Sequence, residues 1–524
     1  MRETDKPIQA TGLVRIIPIL LFAGGVALCL HYSPVHRQLS FDNQIYFYIA
    51  ERVASGEAPH LSLVDHKHQL ASLLSGWSMA AGRMVGVQDY LAARVLSIAA
   101  AAACLPLLWG IGLRLGRSLW TANFAALAML GFVDFFYQGT MGLRPKVFMV
   151  FFLVLALYAS AKRRHASAGA AATASFLCWQ PALVVTVALG VANGCAPSAE
   201  SGTSRAKRLV VFMLGASAVF ALYESYFAWH GALREQLYQS YLMAIDPGAY
   251  KYHSIVSTLR FIIHMGLWRH DAGMIYPLTA LGVLAALWLR ALSHRRLRLR
   301  ALADRPEFFA VLLYGHGALL FTFIDRQAYP DMFFLYPFFA LTIAVGLSAV
   351  VENLQIRGRE PVATGGALLV SVLMAVLPWT RLGVFPTAGK TIESQEKAAQ
   401  ELDIVHEQYG SIWAIGCPHL LAFNNWRNAS PFGLLIDRRV QAYMDRTTMG
   451  EPLRAVRSGT MPGAILLSRG GYGGRLLAWI RRNYTEVTNR SFARQGIRLW
   501  VVRFSSMEAT AGRSVSTHEL PARR

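Results

Sequence analysis

The sequence predicts a polytopic α-helical membrane protein that ends in a small α/β domain, and three observations predict it. Of 524 residues, 54% are hydrophobic and only 15% charged, against about 25% charge in a typical soluble domain. Apolar runs fall at 13–31, 91–113, 119–138, 147–161, 168–192, 209–228, 273–292, 307–324, 332–351 and 362–380. Several reach the roughly 20 residues that cross about 30 Å of hydrocarbon. Past residue 386 the pattern changes to short apolar runs alternating with amphipathic ones, which is how strands and helices alternate in an α/β fold.

The first run, "LVRIIPILLFAGGVALCL", follows a basic N-terminus as a signal peptide would. No small-x-small cleavage site closes it cleanly, so it reads as a retained anchor. With the N-terminus cytoplasmic, "RLGR" (114–117) and "AKRRH" (161–165) also lie inside, as the positive-inside rule requires. "SRAKR" (204–208) and "SHRRLRLR" (293–300) would then fall outside. They return inside if 168–192 is two short helices turning at "CWQP", where Pro181 disfavours a continuous helix. A single proline-kinked helix is the alternative. Two helices make the count eleven, within a membrane domain spanning 1–385. Its first outer loop is then 32–90 and its long outer loop 229–272.

Beyond it, 386–505 reads as an extracytoplasmic α/β domain. "SIWAIG", "GAILLS" and "IRLWVVRF" are its strands, and "SQEKAAQELDIVHEQY" and "GGRLLAWIRRNY" its helices. Residues 506–524 form a polar tail expected to be disordered. The glycine-rich "GGYGGR" (470–475) lacks the Lys-Ser/Thr pair of a phosphate-binding loop and reads as a flexible connection.

A net charge of +21 raises the question of nucleic acid, but much of it sits in the short loops that topology explains, and nucleic acid is excluded as a partner. Five cysteines with no CxxC or Cys/His spacing provide neither a disulfide framework nor a zinc site.

The chemistry gathers in the first outer loop. In "FDNQIYFYIAERVASGEAP", Asp42, Tyr46, Ile49 and Val53 share one helical face, and Gly56 and Pro59 end the segment. Asp42 is either a helix cap or a functional carboxylate. "VDHKHQLASLLSGWSMAAGRMVG" begins a second amphipathic segment, with Asp65, His66, Lys67 and His68 at its head, and "ARVLS" leads into the next membrane run.

This order resembles the GT-C glycosyltransferases, the integral-membrane group that includes protein O-mannosyltransferases and lipid A aminoarabinose transferases. The residues that carry the resemblance are "DNQIYFYIAERVASGEAP", "DHKHQLASLLSG", "AARVLS", "GLRPKVFMVFFLVLAL" and "YPDMFFLYPFFAL". It implies a sugar moved from a polyprenyl-phosphate donor to a cell-envelope acceptor (lipid, glycan or protein) with inversion. A bacterial inner-membrane location goes with it, with membrane lipids as further partners. Asp42 is then the candidate base. Lys67, Arg144 and Lys146 are candidate ligands of the donor phosphate, although Arg144 and Lys146 would also suit interfacial snorkelling.

The sequence departs from the group's pattern in three places. Asn43 stands where relatives carry a second acid, which weakens a paired-carboxylate metal site. His68 and Gln69 replace the two prolines of a "kPPL"-like segment. Trp179 and Gln180 occupy a hairpin where relatives have a lysine. His66 and His68 share a face only on extended backbone and read as polar lining or phosphate hydrogen bonding, with a metal site as the alternative. No cofactor is firmly predicted; a divalent metal has weak support. Trp179 is an interface anchor or a sugar-stacking platform. Glu224, just before the long loop, and Asp246 within it are acids that could approach the site. Two other function classes fit the composition: a flippase for lipid-linked sugars, and a scaffold that keeps the fold without the chemistry.

Overall fold

In lipid an apolar run satisfies its backbone groups internally as a helix, and helices dominate the computed structural model. It describes residues 12–39, 41–116, 118–195, 204–243, 256, 257, 260, 279–284, 306–324, 329–381, 391–435, 437–448, 461–468 and 474–503. The first run is helix α1 (Gly12–His31), and the first outer loop holds α2 (Phe41–Ala54), α3 (Pro59–Ser62) and α4 (Leu70–Met84). Helix α5 (Asp89–Gly116) follows, then α6 (Leu119–Leu130), α7 (Val133–Met141), α8 (Pro145–Ala161) and α9 (His165–Cys178). Next come α10 (Leu183–Cys195), α11 (Arg205–Trp229), α12 (Leu233–Leu237), α13 (Pro306–Ile324), α14 (Tyr336–Ile356) and α15 (Glu360–Val376).

Among the described residues four helices are long and apolar enough to cross a bilayer alone: Asp89–Gly116, Arg205–Trp229, Asp331–Ile356 and Glu360–Trp379. The pair α6 and α7, bent by 57°, makes up to five. Shorter apolar helices at Arg15–His31, Pro145–Ala161, Gln180–Gly194 and Phe308–Thr322 accompany them. Helix α5 is mostly buried and forms the centre, whereas α11 and α15 are mostly exposed along their apolar length, as lipid-facing helices are. Helices α9 and α11 approach backbone to backbone. A Cβ on Gly169 would lie 2.0 Å from the Phe212 carbonyl oxygen, and one on Gly215 2.0 Å from that of Ala166. Small residues permit this contact between membrane helices.

The run 168–192 is broken as the loop charges required. Trp179 is extended and a 3-10 turn covers Gln180–Ala182. His165, opening α9, lies 2.6 Å from Asn193 near the end of α10, so the two helices run antiparallel. The second amphipathic segment differs from expectation: its helix begins at Leu70, leaving Asp65–Gln69 as a turn. Asp65 builds that turn by accepting from the Lys67 backbone N–H at 3.3 Å and from Gln69 Nε2 at 2.8 Å. A buried aspartate that ties down its own backbone competes with helix there.

The C-terminal sheet has strands β1 (Ile412–Ile415), β2 (Ala464–Ser468), β3 (Tyr484–Val487) and β4 (Ile497–Val502), in the order β1-β2-β4-β3. The first two pair in parallel and the rest antiparallel. Helices α16 (Ile392–Tyr409), α17 (His419–Phe423), α18 (Arg438–Thr448), α19 (Gly474–Asn483) and α20 (Arg490–Arg494) accompany it. A capping box at Thr391 and Ser394 starts α16.

This sheet does not stand apart from the first outer loop. Tyr48, Ile49, Leu63 and Met79 share one apolar core with Leu402, Trp413, Leu466 and Trp500. Polar contacts fix the register. Gln395 exchanges hydrogen bonds with the Leu39 backbone at 2.8 and 3.1 Å, Val64 N–H donates to Pro431 O at 2.8 Å, and Asn428 N–H donates to the Tyr48 hydroxyl at 2.9 Å.

Candidate active site

Asp42 lies in the first turn of α2, where the helix dipole favours a carboxylate. Its side chain is 46% exposed and forms an ion pair with Arg144, which is 12% exposed. Arg144 comes from the turn between α7 and α8, and the sequence Gly-Leu-Arg-Pro dictates the shape of that turn. Gly142 has φ +72° and Leu143 φ +63°; Pro145 then opens α8 and keeps Arg144 extended. Arg144 Nε also donates to Gln138 Oε1 at 2.8 Å, so the guanidinium is held at both ends.

Lys67 sits in the turn before α4, and its ammonium donates to the Tyr46 hydroxyl at 2.9 Å, one helical turn along from Asp42. Burial alone would depress this lysine; the Tyr46 hydroxyl and the Asp65 and Asp42 carboxylates hold it above its ordinary value and therefore charged. Burial likewise pushes the Tyr46 hydroxyl up to about 12. Lys146, second residue of α8, forms an ion pair with Asp331, and its ammonium stands 5.0 Å above the Trp179 ring. Asp42 responds to the whole group. Desolvation would raise its carboxyl, but Arg144, Lys67 and Lys146 outweigh that and hold it below the usual carboxylate value.

The fold therefore brings Asp42, Tyr46, Lys67, Arg144, Lys146 and Trp179 together. The other expected residues are placed differently. His66 Nδ1 lies 3.6 Å from Asp65 and 3.4 Å from Asp437, a residue of the C-terminal part. Gln180 donates to the His66 carbonyl at 2.7 Å and so fastens the α9–α10 turn to the first loop. His68 is buried among Phe176, Tyr223 and Tyr241, at ring-centroid distances of 4.7, 5.9 and 4.8 Å, and neither ring nitrogen has a hydrogen-bond partner among the described residues. Trp179 is buried too, edge-on to Phe321 and Phe334, so it is no lipid-facing anchor; it stands where the helix is interrupted at 179–182. Among the described residues no group of three or more His, Cys, Asp or Glu is placed to hold a metal ion. Glu224 accepts from Gln236 and Tyr241, both at 3.3 Å. Asp246 and most of "GGYGGR" lie outside the described residues.

Solved structures share this architecture. ArnT from Cupriavidus metallidurans bound to undecaprenyl phosphate superposes with a TM-score of 0.57 at 14% identity, covering 95% of this chain and 99% of that one. The chain has the GT-C fold. An Archaeoglobus fulgidus oligosaccharyltransferase, in complex with Zn and sulfate, matches the same fold with a TM-score of 0.51 at 13% identity, over 86% of this chain and 67% of that one. No protein-family model matches the sequence, and no curated protein does.

Within this GT-C fold, four residues beside the expected ones shape the site. Asp331 and Gln138 hold the two cations of the α7–α8 turn. Asp437 reaches His66 from the C-terminal part. Buried Arg94 donates to the carbonyls of Pro34, Arg37 and Met141, tying the entry of the first outer loop to the turn that carries Arg144. For Asp331 and Arg94 a signal was present: a charge beside or within an apolar run is expensive and calls for a partner.

Proposed function

We propose that this chain is an integral-membrane glycosyltransferase that moves one sugar from a polyprenyl-phosphate donor to a cell-envelope acceptor, with inversion and with Asp42 as base. The observation that carries the reading is the gathering of one half-exposed carboxylate, Asp42, and three cations, Arg144, Lys67 and Lys146, within a GT-C fold. The similar ArnT is bound to undecaprenyl phosphate, which supports a lipid phosphate as the anion. The acceptor hydroxyl transfers its proton to Asp42 while its oxygen attacks the anomeric carbon from the side opposite the phosphate. The bond to the phosphate oxygen breaks, and the polyprenyl phosphate leaves with the electron pair. Arg144, Lys67 and Lys146 stabilise the growing negative charge.

Bound to Arg144, Asp42 is a weak base, because the guanidinium favours the carboxylate over the acid. A donor phosphate that attracts Arg144 frees Asp42 and raises its basicity, so donor binding prepares the carboxylate for the acceptor. Eleven crossings, a cytoplasmic N-terminus, a membrane domain at 1–385 and a periplasmic domain at 386–505 in the bacterial inner membrane complete the proposal. The antiparallel α9–α10 hairpin supports that count.

The test is transfer of sugar from polyprenyl-phosphate sugars to envelope extract by protein in nanodiscs. Asp42→Asn is expected to abolish transfer and retain donor binding. Transfer that survives Asp42→Asn removes the base assignment. Donor binding without transfer by the unaltered protein favours a flippase or scaffold.

A further inference from the structure

Lys146 is placed where a cation is least welcome. It is the second residue of α8, at the positive end of a helix dipole, and its side chain is only 18% exposed. What holds it there is Asp331, in the 3-10 segment Tyr329–Leu335 that leads into α14, with a side chain 7% exposed. The Trp179 ring, 5.0 Å below the ammonium, closes one side and adds cation–π attraction. A buried carboxylate separated from its cation is strongly unfavourable. Any anion that takes Lys146 therefore competes with Asp331.

We propose that Asp331 is the internal counter-ion of Lys146 and sets the affinity of this site for a lipid phosphate. This rests on the reading of Lys146 as a phosphate ligand. A transferase releases a phosphate monoester more negative than the donor phosphodiester it bound. Without Asp331 the cations Arg144, Lys67 and Lys146 would exceed the neighbouring carboxylates by one more charge and hold that product longer than the donor. Asp331 lowers the net positive charge by one and offers Lys146 a partner to return to, which favours product release. It acts on the phosphate through Lys146 and is a positioning residue.

Full-length protein in nanodiscs is titrated with undecaprenyl phosphate. Asp331→Asn is expected to bind at least about fivefold tighter than wild type, and Asp331→Glu to restore wild-type affinity. Lys146→Gln is expected to bind more weakly, and adding Asp331→Asn to it to produce no tightening, as a double-mutant cycle for a direct pair requires. Asp331→Ser is the second neutral variant if the amide does not fold. Unchanged or weaker binding by a folded neutral variant overturns the proposal, as does tightening that persists without Lys146. Wild-type protein that fails to bind undecaprenyl phosphate removes the lipid-phosphate reading itself. Binding that is lost in Lys67→Met and unchanged in Asp331→Asn removes only the counter-ion.

Discussion

Replacing Arg144 with glutamine separates its two roles, partner of Asp42 and ligand of the phosphate. The pair with Asp42 is partly exposed, at 12% and 46% of the two side chains, and such pairs contribute about 0–1 kcal/mol to stability. The variant is therefore expected to unfold close to the wild-type temperature. A hydrogen bond to a charged group, by contrast, contributes about 1.5–3 kcal/mol, which corresponds to a loss of roughly 10- to 150-fold in affinity for a polyprenyl phosphate. Arg144→Lys keeps the charge and loses the planar fork, and is expected to fall between the two. The assay is equilibrium binding of undecaprenyl phosphate in nanodiscs, with thermal unfolding in parallel. Binding by Arg144→Gln within twofold of wild type, at unchanged stability, refutes the phosphate role.

The remaining predictions follow from the same contacts. Asp42 acts as base when ionised and is held below its ordinary value, so the acid limb of kcat/KM is expected below about pH 4. In Arg144→Gln that limb moves up, because the principal lowering charge is gone; a limb that stays in place in a pH–rate profile speaks against Asp42 as base. Gly142→Ala forces a side chain onto φ +72° and brings its Cβ to 2.8 Å from Arg94 Cγ. A cost of about 1–3 kcal/mol is expected, read as a lower unfolding temperature together with weaker phosphate binding through the displaced Arg144. Tyr48→Phe leaves the buried Asn428 N–H without its acceptor, for about 1–3 kcal/mol. Faster hydrogen exchange at Asn428 and earlier proteolysis near it are the readouts, and unchanged exchange rejects the contact.

Asp42, Lys67 and Arg144 were singled out through the order of motifs that resembles the GT-C group; taken alone, Asp42 read equally as a helix cap. Their convergence was legible only through the order of motifs, since the Asp42–Arg144 contact joins positions 102 residues apart. Asp331 lies within "YPDMFFLYPFFAL", where a charge beside an apolar run calls for a partner, but which partner was not legible, because Lys146 is 185 residues away. Asp437 sits in a polar stretch where an acid is ordinary. Strand β3 escaped detection because "YTEV" is four residues long, with Thr485 and Glu486 both exposed, too short and too polar for periodicity to register. The burial of His68 and Trp179 was not legible, because the rings that surround them, Phe176 and Tyr223 for His68 and Phe321 and Phe334 for Trp179, lie far along the chain.

The contact between Leu39 and Gln395 joins residues 356 positions apart. At about 5–20 residues per second, a ribosome needs about 20–70 s to make the second after the first. For that time the loop carrying Asp42 and Lys67 has been synthesised without the sheet it will pack against, leaving Tyr48, Ile49 and Leu63 uncovered. Assembly of this loop thus waits for synthesis of the sheet, and any factor that shields the loop meanwhile acts within that window.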